Sequence, residues 1–285
     1  QPFTQRCPCG QSNQMALPEN WMKVVSSSYG FFIEPKRLVL RAVVVLTGNY
    51  QGEPLRIALL SDLHIGGTHV PAARIKTLVS VINGLSPDVI FIAGDFIDGH
   101  RSRFNRSADF NTEIRNGLSY LSDIEAERGI YTVLGNHDNF YDGLWLRAHL
   151  NAANVHVLTN EGQNFGDLCF IGISDFQTTH SSPVGYSDCK AIAAKIVLTH
   201  SPDAFRYLRS DTALAVAGHT HGGQINLPLI GRRVTSTEAG ERLAYGLRGV
   251  GGVPVYITAG SGTSMLPARF RAPPGMGLEK LQWEP

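Results

Sequence analysis

The stretch Leu55-Arg56-Ile57-Ala58-Leu59-Leu60-Ser61-Asp62-Leu63-His64 decides how the chain is read. Its apolar run is too short for a helix and has the right length for a buried strand. The run stops abruptly in a serine, a carboxylate and an imidazole. The same construction recurs downstream. Residues 89–93 form a second apolar run, closed by Gly94-Asp95. Residues 130–134 form a third, closed by Gly135-Asn136-His137-Asp138. Between these runs, residues 70–85 carry Ile75, Leu78, Val79 and Ile82 at helical spacing, and residues 114–124 carry Leu118, Leu121 and Ile124. Strand, helix, strand, helix, strand in that order predicts an α/β sheet flanked by helices.

The second half continues the pattern. A helix is expected over 144–153 and strands over 155–158 and 169–173. Residues 195–198 read as a strand ending at Thr199-His200, and 204–208 as a brief helix. Residues 213–217 read as a strand ending at Gly218-His219-Thr220-His221, and further strands are expected over 253–258 and 278–283. No fixed-period repeat and no linker divides the chain. The expectation is one domain of two stacked sheets over 55–285, preceded by a leader and edge segment over 1–54.

Composition narrows the classes. Of 285 residues, 43% are hydrophobic and 17% charged, enough for a sizeable core and too apolar for a disordered chain. A formal net charge of +1 excludes the strongly basic footprint of a nucleic-acid binder. The apolar stretch over 38–46 is interrupted by Arg41 and falls well short of the roughly 20 residues of a membrane-spanning helix. Residues 21–34 hold Trp21, Tyr29, Phe31 and Phe32, which read either as an interfacial segment or as cover for a core edge. The cysteines, Cys7, Cys9, Cys169 and Cys189, do not make a disulfide scaffold. Cys7-Pro8-Cys9 offers two of the four ligands of a closed zinc site and reads as part of a polar leader.

Polar residues thus gather where strands stop, which is where open α/β sheets build their sites. Asp62, His64, Asp95, Asn136, His200, His219 and His221 all follow apolar runs. Carboxylate and imidazole together suit first-row divalent cations, and seven such groups exceed the need of one ion. By chance, a Gly-Asn-His-Asp tetrad is expected in about two of a thousand such chains.

This series, D-x-H, then GD, then GNHD, then a lone His, then GHTH, resembles the calcineurin-like metallophosphoesterases over residues 55 to 285. The resemblance implies a four-layer αββα sandwich of two mixed β-sheets flanked by helices. It implies two divalent metal ions, manganese first and iron or zinc as alternatives. Asp62, His64 and His221 would hold one; Asn136, His200 and His219 the other; Asp95 would bridge them. Water between the ions would be the nucleophile. His137, beside Asn136, would contact the phosphate and protonate the leaving group. Asp98, three residues after Asp95, would orient His137 through a hydrogen bond. Gly99 stands where the protein phosphatase branch has an arginine, which counts against that branch.

The extension Gly218–Gln224, GHTHGGQ, and the tail Ala268-Arg269-Phe270-Arg271-Ala272-Pro273-Pro274 resemble a bacterial branch often associated with membranes. That branch includes phosphodiesterases and a UDP-diacylglucosamine pyrophosphatase, so a lipid-linked or nucleotide-linked phosphodiester or diphosphate is the implied substrate. A phosphomonoesterase or cyclic-nucleotide phosphodiesterase is the alternative, and a non-catalytic scaffold the third reading. Arg101, Arg103 and Arg106 form a loop that would bind a phosphate headgroup or simply be solvated. The partners implied are a phosphate ester and a peripheral membrane or cell-envelope surface, with the cytoplasm as the alternative location and no nucleic acid. His69, His100, His149, His156 and His180 lie outside the motifs and read as ordinary loop or surface residues.

Overall fold

A computed structural model describes residues 28–283. The leader, Cys7, Cys9 and Trp21 lie outside the described residues. In chain order the strands are β1 (Val39–Thr47), β2 (Leu55–Leu60), β3 (Val89–Ile92), β4 (Ile130–Thr132), β5 (Val155–Val157), β6 (Glu161–Phe165) and β7 (Leu168–Ile173). They continue as β8 (Ala194–Thr199), β9 (Thr212–Ala217), β10 (Asn226–Leu227), β11 (Gly231–Arg232), β12 (Gly246–Val250), β13 (Val253–Ile257) and β14 (Gly275–Trp283). The α-helices are α1 (Ala72–Leu85), α2 (Ala108–Ser119) and α3 (Asn136–Ala152).

Two six-stranded sheets result, in the orders β1-β14-β2-β3-β4-β5 and β12-β13-β9-β8-β7-β6. Both are mixed. In the first, β2 to β5 run parallel and β14 is antiparallel to β2; in the second, β7, β8, β9 and β13 run parallel and β6 and β12 are antiparallel edges. Successive residues of β2 point to opposite faces. Leu55, Ile57 and Leu59, with Phe91 and Tyr131, meet Phe170, Ile196, Leu198 and Val216 of the other sheet. Ala58 and Leu60, with Ile90 and Ile92, meet Ile75, Leu78 and Ile82 of α1 and Ile114 and Leu118 of α2. Burial on both faces is why these strands read as continuous apolar runs. Each leucine, isoleucine, valine or phenylalanine among them taken out of water is worth about 1.5–3 kcal/mol.

Several local expectations change. Residues 38–46 are the strand β1, paired parallel with β14 from Val39↔Gly275 to Thr47↔Trp283. Arg41 does not interrupt it, because its guanidinium leaves the sheet to donate to the Pro273 carbonyl at 3.1 Å. The helix expected over 144–153 begins at Asn136, since an extended residue at Asp142 (φ −178°) kinks one helix into two segments. The outer face of the second sheet is covered by short 3-10 helices, Pro183–Asp188, Pro202–Tyr207 and Gly240–Leu243, rather than by α-helices. Cys169 and Cys189 form a disulfide that ties β7 to the end of the Pro183–Asp188 turn. No helix among the described residues is long and apolar enough to cross a membrane.

Candidate metal centre

The parallel strands β2, β3, β4, β8 and β9 deliver their carboxyl ends to one edge of the sandwich. There the backbone is forced into an uncommon conformation. Asp62 (φ 51°), His64 (φ 50°), Asp95 (φ 56°), His219 (φ 68°) and His221 (φ 52°) are all left-handed. Asp and His tolerate this region better than most residues, but it persists only where neighbours over-determine it. Here they do. Asp62 N–H donates to the Gly94 carbonyl at 2.9 Å, His64 N–H to Asp95 O at 3.0 Å, and Gly218 N–H to His200 O at 3.0 Å. The buried Asp138 carboxylate accepts from the N–H groups of Gly135 (2.9 Å), Asp95 (2.9 Å), Phe96 (2.8 Å) and Ile97 (3.2 Å), so it stitches the start of α3 to the turn after β3.

Close approach explains two of the glycines. A side chain at Gly135 would run into the Asp95 carboxylate, and one at Gly218 into Ser61 Oγ and the Asp62 carboxylate. Only glycine lets these strand ends meet.

The seven predicted groups are brought together and buried. Asp62, His64 and His221 present one atom each within 4.8 Å of one another, and so do Asp95, His200 and His219. His64 Nε2 and His221 Nε2 are 3.1 Å apart, and His221 Nε2 is 3.4 Å from Asp62 Oδ1. His200 Nε2 lies 3.0 Å from His219 Nδ1, 3.1 Å from Asn136 Oδ1 and 3.3 Å from Asp95 Oδ2. Asp95 Oδ2 is also 3.7 Å from His64 Nε2, so this carboxylate stands between the two groups.

The electrostatics suit a cation. Burial pushes the His64 imidazole down to about 3 and His219 down to about 4, and it pushes His221 down as well. Three neutral rings therefore offer lone pairs to a space lined by two buried carboxylates. Burial, with the neighbouring Asp95 charge, pushes Asp62 up to about 6. Burial would lower His200, but the carboxylates of Asp95, Asp62 and Asp175 together raise it. Two buried carboxylates demand positive charge, and nitrogen–oxygen donor sets of this kind match divalent first-row metals. His200 Nδ1 donates to the Ala93 carbonyl at 2.6 Å, which turns Nε2 toward the cluster.

His137 also reaches the centre. Its N–H donates to Asp95 Oδ1 at 3.0 Å, and its Nε2 is 3.3 Å from Ser264 Oγ. The expected Asp98–His137 hydrogen bond is not formed. The bridge Ile65↔Ile97 runs the two loops side by side, and Asp98 Oδ1 lies instead 3.6 Å from His64 Nδ1. His137 Nδ1 has no hydrogen-bond partner among the described residues. Two rings meet His137: His64, with centroids 4.6 Å apart, and the exposed loop residue His100, at 4.1 Å.

The arginine loop is largely engaged elsewhere. Arg103 pairs with Asp142 at 3.2 Å, and Arg106 donates to the Asp98 carbonyl at 2.6 Å. Arg101 is exposed.

Beside the cluster lies a cavity of about 450 Å³. Asp95, Asn136, His137, His219 and His221 form its polar floor, and Ile225, Leu227, Val234, Met265 and Leu266 its apolar wall. Ser264 and three further supporting residues were missed by sequence reasoning. Gln177 Nε2 lies 3.0 Å from His219 Nε2. Gln224 donates to the carbonyls of Ser264 (3.1 Å) and Leu266 (2.7 Å), pinning the loop that carries Ser264 to His137. Arg269 is fully buried and donates to the carbonyls of His221 (3.1 Å), Gly262 (2.9 Å), Ala272 (2.8 Å) and Ala259 (2.7 Å). Burial pushes its pKa down to about 9. Gln224 and Arg269 sit in the quoted motifs, but nothing in their spacing announces what they hold.

A family model described as calcineurin-like phosphoesterase matches residues 55–223. A zebrafish (Danio rerio) transmembrane protein with metallophosphoesterase domain is 30% identical over 190 residues, covering 60% of this chain and 41% of that protein. The phosphodiesterase YaeI of Escherichia coli is 28% identical over 218 residues, covering 74% of this chain and 76% of its own. The chain spans about two-fifths of the length of curated relatives such as the zebrafish one. A solved 5′-nucleotidase precursor from Thermus thermophilus aligns with a TM-score of 0.44 at 16% identity, over 74% of this chain and 50% of that one.

Proposed function

Because the chain belongs to the calcineurin-like phosphoesterase family, we propose that it hydrolyses a phosphodiester or diphosphate bond at the strand-end cluster. The observation that carries this reading is the convergence of Asp62, His64, Asp95, His200, His219 and His221 in left-handed or buried positions around one space. The proposed cofactor is a pair of divalent ions, manganese first, one held by Asp62, His64 and His221, the other by Asn136, His200 and His219, with Asp95 shared. When bound, such ions polarise a phosphoryl oxygen and acidify water, whose pKa falls from 15.7 to about 7.

The chain's own groups do the rest. Asn136 and His137 face the cavity and would contact the phosphoryl oxygens. His137 holds a proton where a leaving oxygen departs, with Ser264 fixing its ring. Asp98 stands beside the ligand ring of His64, at 3.6 Å and beyond hydrogen-bond reach, instead of beside the acid. Arg101 is the exposed arginine of its loop, from which it would meet a second phosphate, with Arg103 and Arg106 holding that loop in shape. The apolar wall favours a substrate whose non-phosphate part is lipid-linked, with a nucleotide-linked diphosphate such as UDP-diacylglucosamine as the specific candidate. The catalytic domain is taken as 55–285, residues 1–54 adding the leader and edge, and the location as the cell envelope.

The test is turnover with added Mn²⁺ of an aryl phosphodiester, an aryl phosphomonoester, a cyclic nucleotide and a nucleotide-linked lipid diphosphate, with metal analysis of the same sample. Diester or diphosphate hydrolysis that is lost in Asp95→Ala together with bound metal is expected. Faster monoester turnover would favour the monoesterase alternative. No turnover on any member and no metal uptake would overturn the reading.

A further inference from the structure

The apolar wall of the cavity continues outward instead of ending at its mouth. The hairpin of β10 and β11 reads Ile225-Asn226-Leu227-Pro228-Leu229-Ile230-Gly231-Arg232-Arg233-Val234. Leu229 at its tip is 107% exposed, and Val234 and Ile230 are exposed too. Across the mouth, Met265 is 91% exposed and Leu266 is exposed beside it. Leu229 (φ 65°) and Met265 (φ 57°) both hold left-handed backbone, a conformation unfavourable for such side chains. A third apolar cluster joins at the base. Gly30 accepts from Arg269 N–H at 2.8 Å, and Phe270 bonds Gln224 and Asn226, so the turn Tyr29–Ile33 is fastened next to the hairpin. It presents Phe31, Phe32 (67% exposed) and Ile33.

Charge on this face is mainly positive; an exposed carboxylate at its rim, Glu241, lies 3.5 Å from Arg232 of β11 and offsets that one cation. Residues 28–41, 222–237 and 259–274 contain a single carboxylate, Glu34. Glu34 is buried and accepts from the N–H groups of Arg271 (3.0 Å) and Ala272 (2.7 Å). Lys36, Arg37, Arg233 and Arg271 are exposed along the same three segments. Exposed leucine, isoleucine and phenylalanine beside Lys36, Arg37, Arg233 and Arg271, none of which pairs with a carboxylate among the described residues, match the headgroup region of an anionic bilayer: the side chains enter the acyl boundary and the cations meet lipid phosphates.

We infer that this face, the β10–β11 hairpin with Met265, Leu266 and the Tyr29–Ile33 turn, docks the protein on an anionic lipid surface. The cavity mouth then opens into the membrane interface, so an amphiphile can slide its headgroup to the polar floor without its apolar part crossing water. The inference rests on the hydrolase reading only in placing a phosphate ester on that floor; docking itself needs no turnover.

The experiment is flotation of the full chain with vesicles of phosphatidylcholine, with and without phosphatidylglycerol. Binding to the phosphatidylglycerol vesicles, weakened by salt, is expected. Leu229→Asp with Ile230→Asp, and separately Phe32→Asp, should each lower the bound fraction at a given lipid concentration by about tenfold or more. Lys36→Ala with Arg271→Ala should remove much of the salt sensitivity. Hydrolysis of the soluble aryl phosphodiester, measured in parallel without vesicles, should be unchanged in all these variants, which also reports that they fold. A wild-type chain that stays in solution with both vesicle types, or variants that float as well as wild type, would overturn the docking face. Flotation without hydrolysis of any ester would instead overturn the hydrolase reading and leave the docking face standing.

Discussion

At the scale of single residues, His137 and Asp95 differ in what they hold. Asp95 stands between two ligand groups, at 3.3 Å from His200 and 3.7 Å from His64. His137 touches the cavity and the Ser264 hydroxyl, at the margin of the cluster. His137→Ala should therefore keep its metal content and lower kcat by about 10²–10⁴-fold, the contribution of a general acid. A variant that loses metal as Asp95→Ala does would make His137 a ligand, as its place in a third group with His64 and Asp95 would permit. The residue types of this centre were legible because carboxylate, amide and imidazole recur directly after apolar runs. Their supports were not. Gln177, Ser264 and Arg269 come from loops far along the chain, and no periodicity marks a side chain whose role is to hold another. The orientation of Asp98 was misread for a related reason: spacing gives neighbours along the chain, whereas the Ile65↔Ile97 bridge sets neighbours in space.

At the scale of elements, the centre depends on how closely strand ends approach. Gly218 closes β9 against the turn after β2, where an added methyl would strike Ser61 Oγ and come within 2.7 Å of Asp62 Oδ2. Gly218→Ala should weaken metal affinity by about tenfold or more, read by competition with a chelator, while the sandwich still melts cooperatively. Unchanged affinity would mean that β9 can back away without disturbing Asp62. The strands that build this edge were visible in the sequence because each is buried on both faces. β1, β6 and β12 were not, for they are edge strands with partly exposed faces, and β1 alternates half-buried with exposed residues. The start of α3 was hidden as well. Its first turn is Asn136-His137-Asp138, whose side chains serve the site, so its apolar periodicity begins only after the Asp142 kink.

At the scale of the whole molecule, stability should carry a mark of pH. Glu279 on β14 is fully buried, and neither carboxyl oxygen has a hydrogen-bond partner among the described residues. Burial pushes its pKa up to about 8 from the ordinary 4.5. Between these values the folded chain keeps a proton that the unfolded chain releases. Stability is thus fully present below about pH 4.5 and falls as pH rises toward about 8, by an amount on the order of a few kcal/mol. Glu279→Gln should flatten the dependence of Tm on pH across that window and raise Tm at its upper end. Parallel curves for the two proteins would show that Glu279 finds a partner or water when charged.

The placement of β14 has a consequence for how the molecule comes into being. It lies between β1 and β2, joined to one in parallel and to the other antiparallel. Val39 therefore waits for Gly275 before it has anything to pair with. As the nascent polypeptide leaves the ribosome, β1 emerges well before β14 and stays without this partner until β14 has followed. Its Val- and Leu-rich edge is open throughout that interval to chaperones or to a neighbouring copy.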